Sequence, residues 1–72
     1  MTGRQMLGET LRRRIRDYEY TVEQVAEIVG MTLGGMYMLL EGKMHVLSDG
    51  TKYRICLVLD IAPRVIEEGM RE

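Results

Sequence analysis

The chain has 72 residues, of which 46% are hydrophobic and 29% charged, and its formal net charge is −1. A chain of this length forms one small domain, because it cannot bury two separate cores. It contains no run of about 18 apolar residues that could span a membrane, and its N-terminus lacks the apolar region of a signal peptide. We therefore expect a single domain over residues 1–72, in the cytoplasm and away from membranes.

Few side chains are available for catalysis or metal binding. One cysteine, Cys56, and one histidine, His45, cannot form an internal disulfide or supply the four ligands of a structural zinc site. Gly34-Gly35 lacks the lysine and the spacing of a phosphate-binding loop. We therefore predict no enzymatic activity, small-molecule substrate, metal or cofactor. Cys56 is expected to be an inert core residue and His45 a loop residue.

The first predicted helix begins near Arg4 or Gln5, after a frayed tail of residues 1 to 4, and ends near Tyr18. Gly8 weakens this helix unless close packing against another helix requires it. Apolar residues recur along one face at helical spacing, namely Leu7, Leu11, Ile15 and Tyr18.

A run of arginines lies on the same helix. Three of them, Arg12, Arg13 and Arg16, are candidates for contacts with nucleic-acid phosphates, because affinity for DNA comes largely from basic side chains. The alternative is a solvated helix surface on which some arginines pair with Glu9 or Asp17. Both interpretations remain open from the sequence.

The next segment carries two helix start signals on either side of a glycine. Thr21 and Gln24 have the form of a capping box, which predicts a helix over about 22–29. Gly30 suits a turn, and Thr32 can cap another helix over about 33–40. Two helices of about eight residues joined by a short turn containing glycine are typical of a helix-turn-helix.

The second of these helices has two apolar faces. Its inward residues are predicted to be Met36, Leu39 and Leu40. The residues predicted to face outward are poor in hydrogen-bonding groups, namely Leu33, Gly34, Gly35, Tyr37 and Met38. Such a surface suggests a protein partner, unless Leu33 and Met38 fold back over the core. A further possibility is DNA, because Leu and Met can touch thymine methyl groups and Tyr37 can reach a phosphate.

The loop that follows leads into the fourth helix. Gly42 fits a helix end, and Lys43 either reaches a phosphate or is solvated. Val46 and Leu47 are expected to close the core. Ser48 or Asp49 should cap a helix that runs to about Leu59. Its predicted apolar surface consists of Tyr53, Ile55, Cys56, Val58 and Leu59.

The last predicted helix follows a turn at Asp60, a residue type that tolerates the left-handed conformation. Pro63 suits the first position of this helix, because its missing N–H would have no helical partner there. Val65, Ile66 and Met70 make a short apolar face that packs either on the core of the same chain or on a second copy.

Several of these positions together resemble the phage Cro/C1 repressor family of helix-turn-helix proteins. The resemblance covers about residues 6–66, with frayed termini, and includes Leu7-Gly8-Glu9 and Leu59-Asp60-Ile61. It implies an all-α, compact bundle of five short helices, and a transcription regulator that binds double-stranded DNA as a homodimer. Residues 32–40 would enter the major groove, and the dimer contact would involve Val65, Ile66 and Met70. The positions that match the family's helix-turn-helix are Ala26, Gly30, Thr32, Met36, Leu39 and Gly42.

The sequence departs from the family at the DNA-reading positions. Relatives carry Gln, Arg, Ser, Asn or Lys where this chain has Leu33, Gly34 and Met38. Ile15 and Leu40 replace a partly buried ion pair of the family, an exchange that a fold tolerates well. A second hypothesis therefore stands beside DNA binding: an antagonist or co-regulator that docks on another transcription regulator. Its docking stripe would consist of Leu33, Met36, Tyr37 and Met38.

Overall fold

The computed structural model describes residues 1–71 and contains five α-helices, with no strand in that part of the chain. The Cα radius of gyration is 10.6 Å, close to the value of about 11 Å expected for a compact chain of this length. The predicted all-α bundle of five short helices is therefore confirmed. The helices are α1 (Gly3–Asp17), α2 (Val22–Val29), α3 (Leu33–Leu40), α4 (Asp49–Leu59) and α5 (Pro63–Met70).

The predicted caps fix the bounds of α2 and α3. The Thr21 hydroxyl accepts a hydrogen bond from the Gln24 backbone N–H at 3.0 Å, and the Gln24 side chain accepts one from the Thr21 N–H at 2.8 Å. Gly30 ends α2 in the left-handed conformation, with φ of 78°. Thr32 then caps α3 by accepting a hydrogen bond from the Gly35 N–H at 3.0 Å. Both helices therefore begin and end where the sequence predicted.

The start of α1 differs from the prediction. Thr2 caps this helix through a second capping box with Gln5, in which the hydroxyl accepts from the Gln5 N–H at 3.1 Å. Because these bonds satisfy N–H groups that would otherwise lack helical partners, the helix already begins at Gly3. The predicted frayed tail of residues 1 to 4 is therefore wrong for residues 2–4. At the other end of the chain, α5 includes the predicted Val65, Ile66 and Met70.

Close packing explains the glycine in the middle of α1. A Cβ atom at Gly8 would overlap the backbone carbonyl of Leu40 at the end of α3. The two helices can approach this closely only because Gly8 has no side chain.

The core is apolar throughout, and no polar or charged side chain is buried among the described residues. It joins α1 to α3 and α5, and α2 to α3 and α4. The buried residues are Leu7, Leu11, Ile15, Val25, Ala26, Val29, Met36, Leu39, Leu40, Ile55, Cys56, Leu59, Ile61 and Ile66.

One predicted core contribution is wrong, and one predicted apolar residue of α4 faces solvent. Val46 is 79% exposed, so only Leu47 of that pair packs against the core. Tyr53 is 64% exposed, because it lies about 200° around the helix from the buried Ile55.

Arg14 joins α1 to the end of α4. Its guanidinium donates hydrogen bonds to the carbonyl oxygens of Leu59 at 3.1 Å and Asp60 at 2.8 Å. Asp60 is left-handed, with φ of 53°, which confirms the predicted turn. A cation near the last carbonyls of a helix is favourable, so Arg14 has a structural role and differs from the other arginines of α1.

Candidate functional site

The inner side of α3 anchors this helix in the core. Met36, Leu39 and Leu40 are all buried, as the helical spacing predicted. Met36 therefore does not belong to the exposed docking stripe, because its side chain has no accessible surface. Three buried side chains and a side-chain cap at Thr32 fix the orientation of α3. Its other side faces solvent.

The α3 outer face, defined here as Leu33, Gly34, Tyr37 and Met38, is apolar and accessible. Leu33 is 41%, Tyr37 39% and Met38 46% exposed. A Cβ atom at Gly34 would meet no atom within 4 Å, so the backbone itself is open there. Leu33 and Met38 thus do not fold back over the core. The face spans an arc of about 140° around the helix, and the Tyr37 hydroxyl is its one side-chain hydrogen-bonding group.

Gly35 does not belong to this face, which corrects its predicted outward position. Gly35 is half-buried. A Cβ atom there would lie 3.1 Å from the Thr32 hydroxyl and 3.7 Å from the terminal methyl groups of Met31 and Met44. It turns toward the loops on either side of α3, because it lies about 100° around the helix from Gly34. The Thr32 hydroxyl serves as the helix cap.

Lys43 lies just beyond the end of α3. Its ammonium group is 3.4 Å from the Glu41 carboxylate, and both side chains are well exposed, so this pair contributes little stability. The ammonium remains accessible for a second anion. Arg4 of α1 contacts the same loop, where its Nε donates a hydrogen bond to the Gly42 carbonyl oxygen at 3.3 Å.

The α1 arginine cluster, defined as Arg12, Arg13 and Arg16, is exposed and positively charged. None of the three forms an ion pair with an acid among residues 1–71. The predicted alternative, in which some of them pair with Glu9 or Asp17, is therefore not found in this part of the chain. Arg12, Arg13 and Arg16 line an open cleft together with Glu9.

A second open cleft brings Arg12 and Arg16 to the start of α2. Its lining also includes Glu19, Tyr20, Thr21 and Val22. The first N–H groups of a helix have no partner within it and give its N-terminus a partial positive charge. Two free guanidinium groups and a helix N-terminus therefore share one side of the molecule, with Glu19 as the acid in that cleft. The sequence alone could not show that α1 and α2 meet in this way.

The predicted dimer residues of α5 mostly face the core of the same chain. Ile66 has no exposed surface, so in this chain it packs on the core, which is the alternative that the sequence left open for this face. Val65 and Met70 are half-buried and pack against the core. Gly69 also lies close to Leu7, since a Cβ atom there would be 2.7 Å from the Leu7 Cβ.

The helix α4 carries an exposed apolar pair, of which Leu57 was not predicted from the sequence. Tyr53 and Leu57 are both 64% exposed and four residues apart, so they share one side of the helix. The helical positions of Ile55, Cys56 and Leu59 would have identified the opposite side as the core side.

No group of acidic, histidine or cysteine side chains that could hold a metal ion occurs within residues 1–71. Burial raises the pKa of the Cys56 thiol, and the nearby Glu67 raises it further, so this cysteine stays protonated and is a poor nucleophile. His45 lies on the exposed surface of the loop. None of the helices described is both long and apolar enough to cross a lipid bilayer.

Comparison of the chain with protein-family models, curated proteins and solved structures finds no match.

Proposed function

We propose that this chain is a small cytoplasmic transcription regulator that binds double-stranded DNA. In this proposal α2, the turn at Gly30 and α3 act as a helix-turn-helix. The α3 outer face enters the major groove, while the α1 arginine cluster and the N-terminus of α2 contact the phosphate backbone.

The observation that carries the proposal is the cleft shared by Arg12, Arg16 and the first residues of α2. A phosphate is the ligand best suited to guanidinium groups beside a helix N-terminus, because both offer N–H donors and positive charge. The two arginines have no acidic partner among residues 1–71. Binding DNA would therefore release counterions without breaking ion pairs of the protein.

The remaining candidate residues take supporting roles. Lys43 and the Tyr37 hydroxyl would contact the backbone at the edges of the groove. The open backbone at Gly34 would allow α3 to approach the bases closely. A homodimer belongs to the proposal as well, with its contact limited to surface that remains accessible, such as the half-buried Val65 and Met70.

A second candidate function is favoured by the apolar character of the α3 outer face. Its three exposed side chains are of types that are enriched at protein interfaces, and the net charge of −1 does not favour DNA. In this alternative the chain docks on another transcription regulator and contacts DNA weakly or not at all.

A titration of the protein into fluorescent double-stranded DNA at about 50 mM and about 200 mM salt tests the proposal. We expect clear binding at the lower salt and a steep loss at the higher salt. The double variant Arg12→Gln with Arg16→Gln should lower the slope of log affinity against log salt by up to about 2, because each lost phosphate contact removes about 0.9.

Arg64→Gln is the matched control. This arginine is exposed on α5 and, within residues 1–71, has no acidic partner. Its removal lowers the net charge without touching the cleft. DNA binding that is absent at the lower salt would contradict the proposal and favour the protein partner. A loss of affinity that is equal per removed charge in the control and in the double variant would contradict the role of the cleft.

A further inference from the structure

The α3 outer face is unusual as a base-reading surface because it has almost no hydrogen-bonding side chains. Leu33 and Met38 are accessible at its two edges, Tyr37 lies between them, and Gly34 has no side chain. The Thr32 hydroxyl is already the acceptor for the Gly35 N–H. A surface of this kind cannot distinguish base pairs by their donors and acceptors.

The major groove offers one apolar feature to such a surface. Each base pair presents its own pattern of donors and acceptors, and only thymine adds a methyl group, at C5. Contact between that methyl group and a leucine or methionine side chain lowers the free energy of binding, because it removes apolar surface from water. Against the polar edges of guanine or cytosine they would remove water without replacing its hydrogen bonds, which is unfavourable. The side chains therefore match thymine better than any other base.

The charges around this face favour DNA over a protein as its occupant. The free guanidinium groups of Arg12 and Arg16 flank the N-terminus of α2, the helix that comes before α3 in the chain. Lys43, at the other end of α3, keeps an accessible ammonium group. An apolar strip with a lysine beyond its end and free arginines at the start of the preceding helix complements a groove whose floor carries methyl groups and whose walls are phosphates.

We infer that α3 recognises thymine methyl groups through Leu33 and Met38, so that the preferred ligand is double-stranded DNA with thymine-rich sequence in the major groove. This inference rests on the DNA binding proposed above. It assigns the specificity to two apolar residues, whereas the arginines supply affinity for any sequence.

The test compares duplexes that have the same charge and length and differ only in the C5 methyl group. One pair consists of an A·T duplex and the same duplex with deoxyuridine in place of thymidine. The other consists of a G·C duplex with cytosine or with 5-methylcytosine. We expect the methylated member of each pair to bind more tightly, by about fourfold for each methyl group contacted. Titrations at about 50 mM salt strengthen the phosphate contacts, so that binding to every duplex is measurable.

Variants then assign the effect to α3. Leu33→Ala with Met38→Ala should make the two members of each pair bind equally, and alanine keeps the helix because of its high helix propensity. Leu57→Ala removes an apolar side chain that is 64% exposed on α4 and should leave the preference unchanged.

The outcomes distinguish a failure of the methyl recognition from a failure of the proposed DNA binding. Equal affinity for methylated and unmethylated duplexes, together with salt-dependent binding to both, would overturn the methyl recognition and leave the DNA binding intact. A preference that persists in the double alanine variant would overturn the role of Leu33 and Met38. Absence of binding to all four duplexes would overturn the proposed function itself.

Discussion

The two sides of α3 have the same apolar chemistry and differ in what covers them. On the inner side, Leu39 and its neighbours are buried by the other helices. On the outer side, Leu33 and Met38 remain more than 40% exposed. Burial of apolar surface stabilises a fold, whereas apolar surface left in water does not. The inner side therefore accounts for stability, and the outer side requires a different explanation, for which binding is our proposal.

The largest expected change in stability comes from truncating a buried side chain on the inner side of α3. Leu39→Ala should lower the free energy of unfolding by about 2–5 kcal/mol, because it removes buried methyl groups and leaves a cavity. Urea unfolding followed by circular dichroism measures the change.

Met38→Ala is the control, since it alters the adjacent residue on the outer side. We expect this variant to stay within about 0.5 kcal/mol of the wild type, as surface substitutions usually do. Similar losses in the two variants would mean that the outer side is also packed, and would contradict the distinction between the two sides.

Smaller changes in stability, of opposite sign, are expected at two glycines. Gly8 of α1 packs against the end of α3, and Gly34 lies on the α3 outer face. Gly8→Ala should lower the free energy of unfolding by about 1–3 kcal/mol, because the added methyl group overlaps the Leu40 carbonyl. Gly34→Ala should raise it by up to about 1 kcal/mol, because no atom lies near the new methyl group and alanine favours the helix. Thermal unfolding of both variants gives the two signs. Stabilisation of both variants would show that helix propensity, rather than packing, decides the outcome.

Local signals made most of this fold predictable from the sequence. The caps at Thr21 and Thr32 and the turn at Gly30 fixed two helices to the residue, because these signals act within a few positions along the chain. The cap at Thr2 gives the same kind of signal with Gln5 and was overlooked. Val46 was misplaced because a short loop has no helical period that would indicate which side chain turns inward.

The candidate site was less predictable because it depends on contacts between distant segments. That Arg14 bonds to the carbonyls of Leu59 and Asp60, while Arg12 and Arg16 remain free, follows from the way α1 packs on α4 and not from the arginine run itself. Likewise, the inward position of Ile66 depends on how α5 packs against α1. The apolar outer positions of α3 could be read directly from its helical spacing.

The measurement that tests the binding role of the α3 outer face most directly is nuclear magnetic resonance of the isotope-labelled protein during a titration with A·T-rich duplex DNA. We predict that the largest shifts of backbone amide signals fall on Leu33, Gly34 and Met38, with further shifts at the start of α2. The signals of Leu57 and Gly69, on other surfaces of the bundle, should remain unchanged. Shifts concentrated on α4 or α5, with those of α3 unaffected, would contradict the assignment of this face as the binding surface.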